Sequence, residues 1–281
     1  MLISPRKAEE KPSTLFFVGL FYASLSILLV DWIFSKDVVL SKYLGLLVVL
    51  FTVMLSMPFV YYTIRFEERK ITSERGALSL LKEHKKAIFA FLWLFLGFVI
   101  AFSVWNIVLP ANQGLNVQIE TYCQINRPSS FSDCVTQFTG QVINPNANVV
   151  SSQRLLAIFS NNLGVLIFTF IFSLIFGPGV IFILAWNASV ISAAINIFAN
   201  SELSKVPLGI TRYILHGVPE IASYFIIALA GGIISSAIIR HELGTEKFWE
   251  VTKDSFSLII ISIIVLILAA IMEVFVTPIL F

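Results

Sequence analysis

Eight side chains stand out because they interrupt otherwise apolar stretches: Asp31, Asn161, Asn162, Asn187, Asn196, His216, Glu220 and Glu273. An ionisable or amide group costs free energy in hydrocarbon, so such positions are the first place to look for function. Glu220, Glu273 and His216 together have the chemistry to share or pass a proton. They are too few for a metal site, which needs several converging His, Cys or carboxylate ligands. The chain has no His-Glu-x-x-His pair, and no Gly-x-Ser-x-Gly elbow accompanies His216. No metal, no cofactor and no enzymatic activity are therefore expected. A structural reading competes with the proton path: Glu and His side chains can bond to Asn amides and helix ends and fix how helices pack.

The elements that position these residues follow from composition. The chain is 57% hydrophobic and 13% charged, with a mean hydropathy of +0.89. Ordinary soluble domains are about 45–50% apolar and about 25% charged. Runs of about twenty apolar residues read as membrane-spanning helices. Seven such runs occur, at Leu15–Phe34, Tyr43–Ile64, Ile88–Leu109, Leu155–Phe176, Gly179–Ala199, Pro219–Ile239 and Phe256–Leu280. The expected fold is an all-α, polytopic membrane helix bundle of about seven spans in a lipid bilayer. Pro219 is suited to opening a helix, so the sixth span is expected to begin there, with His216 in its cap. The first run is too long for a cleaved signal peptide and is read as a span. A net charge of +2 gives no reason to expect nucleic acid.

Charge placement orients the bundle. With an odd number of spans, thirteen Lys and Arg fall on the side of the N-terminus and six on the other. The positive-inside rule then puts the N-terminus in the cytoplasm and the C-terminus outside. Counting about 1.5 Å per residue, all eight polar positions except Asn187 fall in the outer half of the bundle, largely among spans four to seven.

Three regions result: a three-span part over 1–109 with a charged cytoplasmic loop at 65–87, an extracytoplasmic loop at 110–153, and a four-span part over 154–281. The loop at 65–87 ends in an amphipathic piece, Ser79–Lys86, and either solvates the joint or docks a cytoplasmic partner or anionic headgroups. The loop at 110–153 is polar and holds both cysteines, Cys123 and Cys134. On an oxidising side they are expected to pair, stabilising the loop by about 3 kcal/mol in the chain-entropy picture; two free thiols are the alternative. With no His in that loop, a zinc site is not expected. Asn187-Ala188-Ser189 is a glycosylation sequon inside a span and so unusable. Gly177-Pro178-Gly179 reads as a tight turn between spans four and five. Small residues at Ala193-Ala194, Gly231-Gly232 and Ser235-Ser236 allow close approach, within the chain or across a homodimer.

The order Asn161-Asn162, Phe176-Gly177-Pro178-Gly179, Asn187, His216-Gly217-Val218-Pro219-Glu220, Gly231-Gly232 and Glu273-Val274-Phe275-Val276-Thr277-Pro278 resembles the stage II sporulation protein M (SpoIIM-like) membrane family. The resemblance covers about residues 155–280. Gly19, Tyr22-Ala23 and a Pro58 ahead of Glu67-Glu68 are similar to its archaeal members. The chain departs from the family pattern at Ala188, where Gly is usual, at Leu215, where Pro is usual, and at Pro219, where a bulky apolar residue is usual. The resemblance implies a scaffold: the namesake holds cell-wall-degrading enzymes at a septal membrane. In an archaeal member that wall chemistry cannot be the role. The expected function is a non-enzymatic scaffold or assembly factor with protein partners or a homo-oligomer; the alternative is a small-ion or solute transporter or channel. A transporter should show internal repeats and helices broken near mid-membrane, and no convincing repeat is visible.

Overall fold

A computed structural model of the chain describes residues 10–68, 77–109, 116–126, 132, 134–135, 151–176, 179–199, 202–239 and 243–280. Every element among them is helical. The helices are α1 (Thr14–Phe34), α2 (Leu44–Glu68), α3 (Ala77–Val108), α4 (Asn116–Asn126), α5 (Ser151–Phe176), α6 (Val180–Ala199), α7 (Val206–Ile239), α8 (Glu246–Ile271) and α9 (Thr277–Leu280). A π-helical turn, Met272–Val276, joins α8 to α9. Seven stretches are long and apolar enough to cross a membrane; they involve α1, α2, α3, α5, α6, α7 and the α8–α9 run. The protein is an all-α, multi-pass membrane bundle.

Most of its buried hydroxyls bond to their own helix. Ser26, Thr52, Thr63, Ser103, Thr169 and Ser173 each donate to the carbonyl four residues earlier. Where lipid and apolar side chains offer no other partner, this satisfies the hydroxyl locally. Between α1 and α2, Asp37 Oδ1 accepts from the backbone amides of Val39 and Leu40, both at 2.8 Å. These bonds, that from Leu40 foremost, hold the Asp37 carboxyl below its usual range.

The bundle closes where glycines let backbones touch. At the α1–α3 crossing, a Cβ on Gly19 would strike the Leu94 carbonyl oxygen, and one on Gly97 would strike that of Phe16. Gly231 of α7 sits against α5, where a Cβ would lie 2.9 Å from the Phe170 carbonyl oxygen. Gly231 thus serves contact within the chain. One apolar core runs through both halves, from Leu15 and Phe98 to Ile181, Tyr224 and Leu266. The sixth span is its axis, with 76% of its apolar window buried against 22% for the fourth and 28% for the seventh.

The sixth span corrects the sequence reading. The helix begins at Val206, and Pro219 lies inside it. Proline removes one backbone bond, here to the Leu215 carbonyl, and crowds that oxygen. Ending the helix at that depth would leave a whole turn of backbone groups unpaired, so one lost bond is the smaller cost. His216 therefore stands on a continuous helix, not in a cap. The third and seventh spans also start earlier than their apolar runs: Ser79–Lys86 is part of α3, and α8 begins at Glu246 with Thr245 Oγ1 accepting from the Phe248 amide at 3.2 Å. In the 65–87 loop, residues 69–76 lie outside the described residues, as do Gly177 and Pro178 of the expected tight turn.

In the loop between spans three and four, α4 packs on α6, with Ile119, Cys123 and Cys134 against Ala193. Cys123 and Cys134 form a disulfide, with Cα atoms 5.7 Å apart.

Candidate functional site

The segment from Tyr213 through His216 and Glu220 to Tyr224 lies on one helix, α7, and the other half of the site lies on the π turn and α9. His216 and Glu220 are four residues apart on α7, and Tyr224 is four further, so the three share one face. Tyr224 donates its hydroxyl to Glu220 Oε1 at 2.9 Å. His216 Nδ1 meets Thr277 Oγ1 at 3.1 Å, and Thr277 Oγ1 in turn donates to the Met272 carbonyl at 3.1 Å. Glu273, on the π turn, is close enough to Glu220, Tyr213 and Tyr224 to interact electrostatically with each. Tyr213 stands edge-on to His216, with ring centroids 6.0 Å apart, and hydrogen-bonds Tyr122 of the disulfide-bearing α4.

The π turn has a cause in the sequence. Pro278 has no amide to donate, and in an α-helix its ring would crowd the carbonyl of Val274. Widening the turn over Met272–Val276 relieves this, and the Thr277 amide and hydroxyl both go to the Met272 carbonyl. The wider turn sets both Glu273 and Thr277 toward α7.

The structure joins His216, Glu220 and Glu273 into one junction between the sixth and seventh spans. Asn161 and Asn162 stand on α5, the helix that packs on both α7 and the π turn. Asn161 donates to Asn162 Oδ1 at 3.1 Å, and Asn162 is buried. Asn187 is not brought into the junction: on α6, it donates back to the Ile183 carbonyl at 2.8 Å. Asp31 lines a separate small cleft with Asn106 and Ser189. Asn196 Oδ1 has no partner among the described residues, nor has either side-chain polar atom of the buried Gln118 on α4. Among the described residues no three His, Cys, Asp or Glu side chains converge as a metal ion requires.

Tyr122, Tyr213, Tyr224 and the hydroxyl role of Thr277 were not legible as site residues. In a chain with 26 Phe and 7 Tyr, a phenol looks like apolar filling. The one available signal was spacing, since Tyr224 follows Glu220 by a full helical turn.

No curated protein and no solved structure matches the chain. A family comparison does: the family described as stage II sporulation protein M matches residues 14–278, taking in the first three spans as well as the last four. With His216, Glu220 and the Thr277-Pro278 ending meeting in one junction inside that span, the chain belongs to the stage II sporulation protein M family.

Proposed function

We propose that the protein is a non-enzymatic membrane scaffold or assembly factor, and that the junction of His216, Glu220 and Glu273 locks its last two spans together. The observation carrying this reading is where the polar groups spend their bonds. His216 Nδ1 pairs with the Thr277 hydroxyl across the two spans, Thr277 is also bonded to backbone, and Glu220 takes the Tyr224 hydroxyl within α7. Such groups hold helices in register and leave the loops to meet partners. The N-terminus faces the cytoplasm and the C-terminus the outside, with protein partners or a second copy of the chain bound. The charge bias supports this orientation. The disulfide supports it separately, because disulfides persist on oxidising faces and this one lies on the side that the charges assign to the exterior.

Crosslinking in native membranes followed by affinity capture should retain a stable protein partner or a homo-oligomer. In liposomes, the parent protein and Glu220→Gln should both show no proton or cation flux above empty vesicles. Robust flux in the parent, lost in the Gln variant, would replace the scaffold with a transporter.

A further inference from the structure

Beside the junction, and sharing Tyr213 with it, a cavity of about 210 Å³ opens between α3, α6 and α7. Its α3 wall is apolar, made by Phe89, Leu92, Trp93, Leu96 and Val99, and it faces Gly217 and Val218 of α7. Phe89 is 55% exposed, Trp93 38% and Val218 39%, so the mouth opens on the flank of the bundle. In a protein that crosses a membrane, that flank faces hydrocarbon. An apolar cavity of about 150 Å³ engineered in another protein stays dry and takes up benzene, so water is not the natural occupant here.

Gly217 shows that the space is built in. Gly19, Gly97 and Gly231 stand where a Cβ would press on a neighbouring backbone. At Gly217 a Cβ would meet only Ile191 Cδ1, at an ordinary 3.7 Å. Glycine weakens a helix interior, and no close approach requires it at this position. What the missing side chain leaves is the cavity.

The same face of α3 ends in cations. Residues seven apart on a helix lie nearly above one another, about 10 Å along the axis. Lys82 precedes Phe89 by seven, Lys85 precedes Leu92 by seven, and Lys86 precedes Trp93 by seven. All three lysines are exposed. The apolar wall therefore runs directly into a cluster of three positive charges where α3 leaves the membrane. Basic clusters at that border attract anionic headgroups.

We propose that this groove binds one anionic membrane phospholipid, its acyl chain lying along α3 against Gly217 and its phosphate held by Lys82, Lys85 and Lys86. The cavity wall offers hydrocarbon to the chain, and charge complementarity at its end selects the headgroup.

The test uses the full-length protein in nanodiscs containing phosphatidylglycerol and phosphatidylcholine. Native mass spectrometry after detergent exchange should find one phosphatidylglycerol retained, preferred over phosphatidylcholine by on the order of tenfold or more. The triple variant Lys82→Gln, Lys85→Gln, Lys86→Gln should lose that preference and still retain lipid. Gly217→Leu should fill the groove and lose both lipids, with helicity by circular dichroism unchanged. A measurement on the unmutated protein guards against a variant that fails to fold. Phosphatidylglycerol with a photoactivatable group on its acyl chain should label residues 89–99 and 217–218 well above the lipid-facing Ile167 and Ile264. Even labelling of all four places overturns the proposal, as does equal retention of the two lipids by the parent. So does a folded Gly217→Leu variant that keeps its lipid.

Discussion

Thr277 Oγ1 meets both the Met272 carbonyl and His216 Nδ1, each at 3.1 Å. The hydroxyl thus ties three groups across two spans: the imidazole, its own helix and the widened π turn. Serine keeps the hydroxyl and valine keeps only the shape. Thr277→Ser should unfold thermally close to the parent in detergent. Thr277→Val should lose about 1–3 kcal/mol, because the buried His216 Nδ1 loses its hydroxyl partner while the Met272 carbonyl keeps the backbone amide. Equal melting of the two variants would show that the hydroxyl carries no structural weight. Tyr224 bonds Glu220 from one turn away on the same helix, giving the carboxyl a polar partner.

Helices meet here through what they lack. Gly19 and Gly97 leave α1 and α3 so close that each would place a Cβ into the other helix's backbone. Gly164 on α5 is exposed and has nothing within 4 Å of where its Cβ would be. The same substitution should therefore have opposite signs at the two sites. Gly97→Ala should destabilise by about 1–3 kcal/mol or more through overpacking against backbone. Gly164→Ala should be neutral or stabilise by up to about 1 kcal/mol through helix propensity. Thermal unfolding of both variants in one detergent checks the pair, and a tolerated alanine at position 97 would contradict the crossing. The sixth span illustrates the reverse case, an element that persists through a residue that should stop it. Pro219 costs α7 one bond, yet the surrounding helices α5, α6 and α8 pack along its length and hold it continuous.

At the scale of the whole molecule, orientation and redox chemistry make one joint expectation. With Cys123 and Cys134 paired, and on the outer side in the proposed orientation, mass spectrometry of the unreduced protein should find one intramolecular disulfide and no free thiol. Single cysteines introduced on a background in which both native cysteines are serine report the same geometry independently. A membrane-impermeant thiol reagent added to intact cells should reach positions in 110–153 and at the C-terminus. It should not reach positions in 65–87 or 240–254. Labelling of the 65–87 segment from outside would invert the bundle and contradict the charge argument.

The sequence by itself determined the number of spans and the all-α class, because apolar run length is set by membrane thickness and needs no tertiary information. It also singled out the polar residues that interrupt apolar runs, since those are visible in the sequence itself. Local signals were enough for the two cysteines, which are only eleven residues apart. Tertiary structure decided what no local pattern carries. It extended the sixth helix through Pro219, because packing by neighbours outweighs one missing bond. It set Thr277 against His216, 61 residues away in the chain, and left Asn187 bonded to its own helix. It also separated the glycines that seal helix crossings from Gly217, which keeps a space open. A glycine has no side chain to declare its purpose, so only the atoms that surround it can tell the two apart.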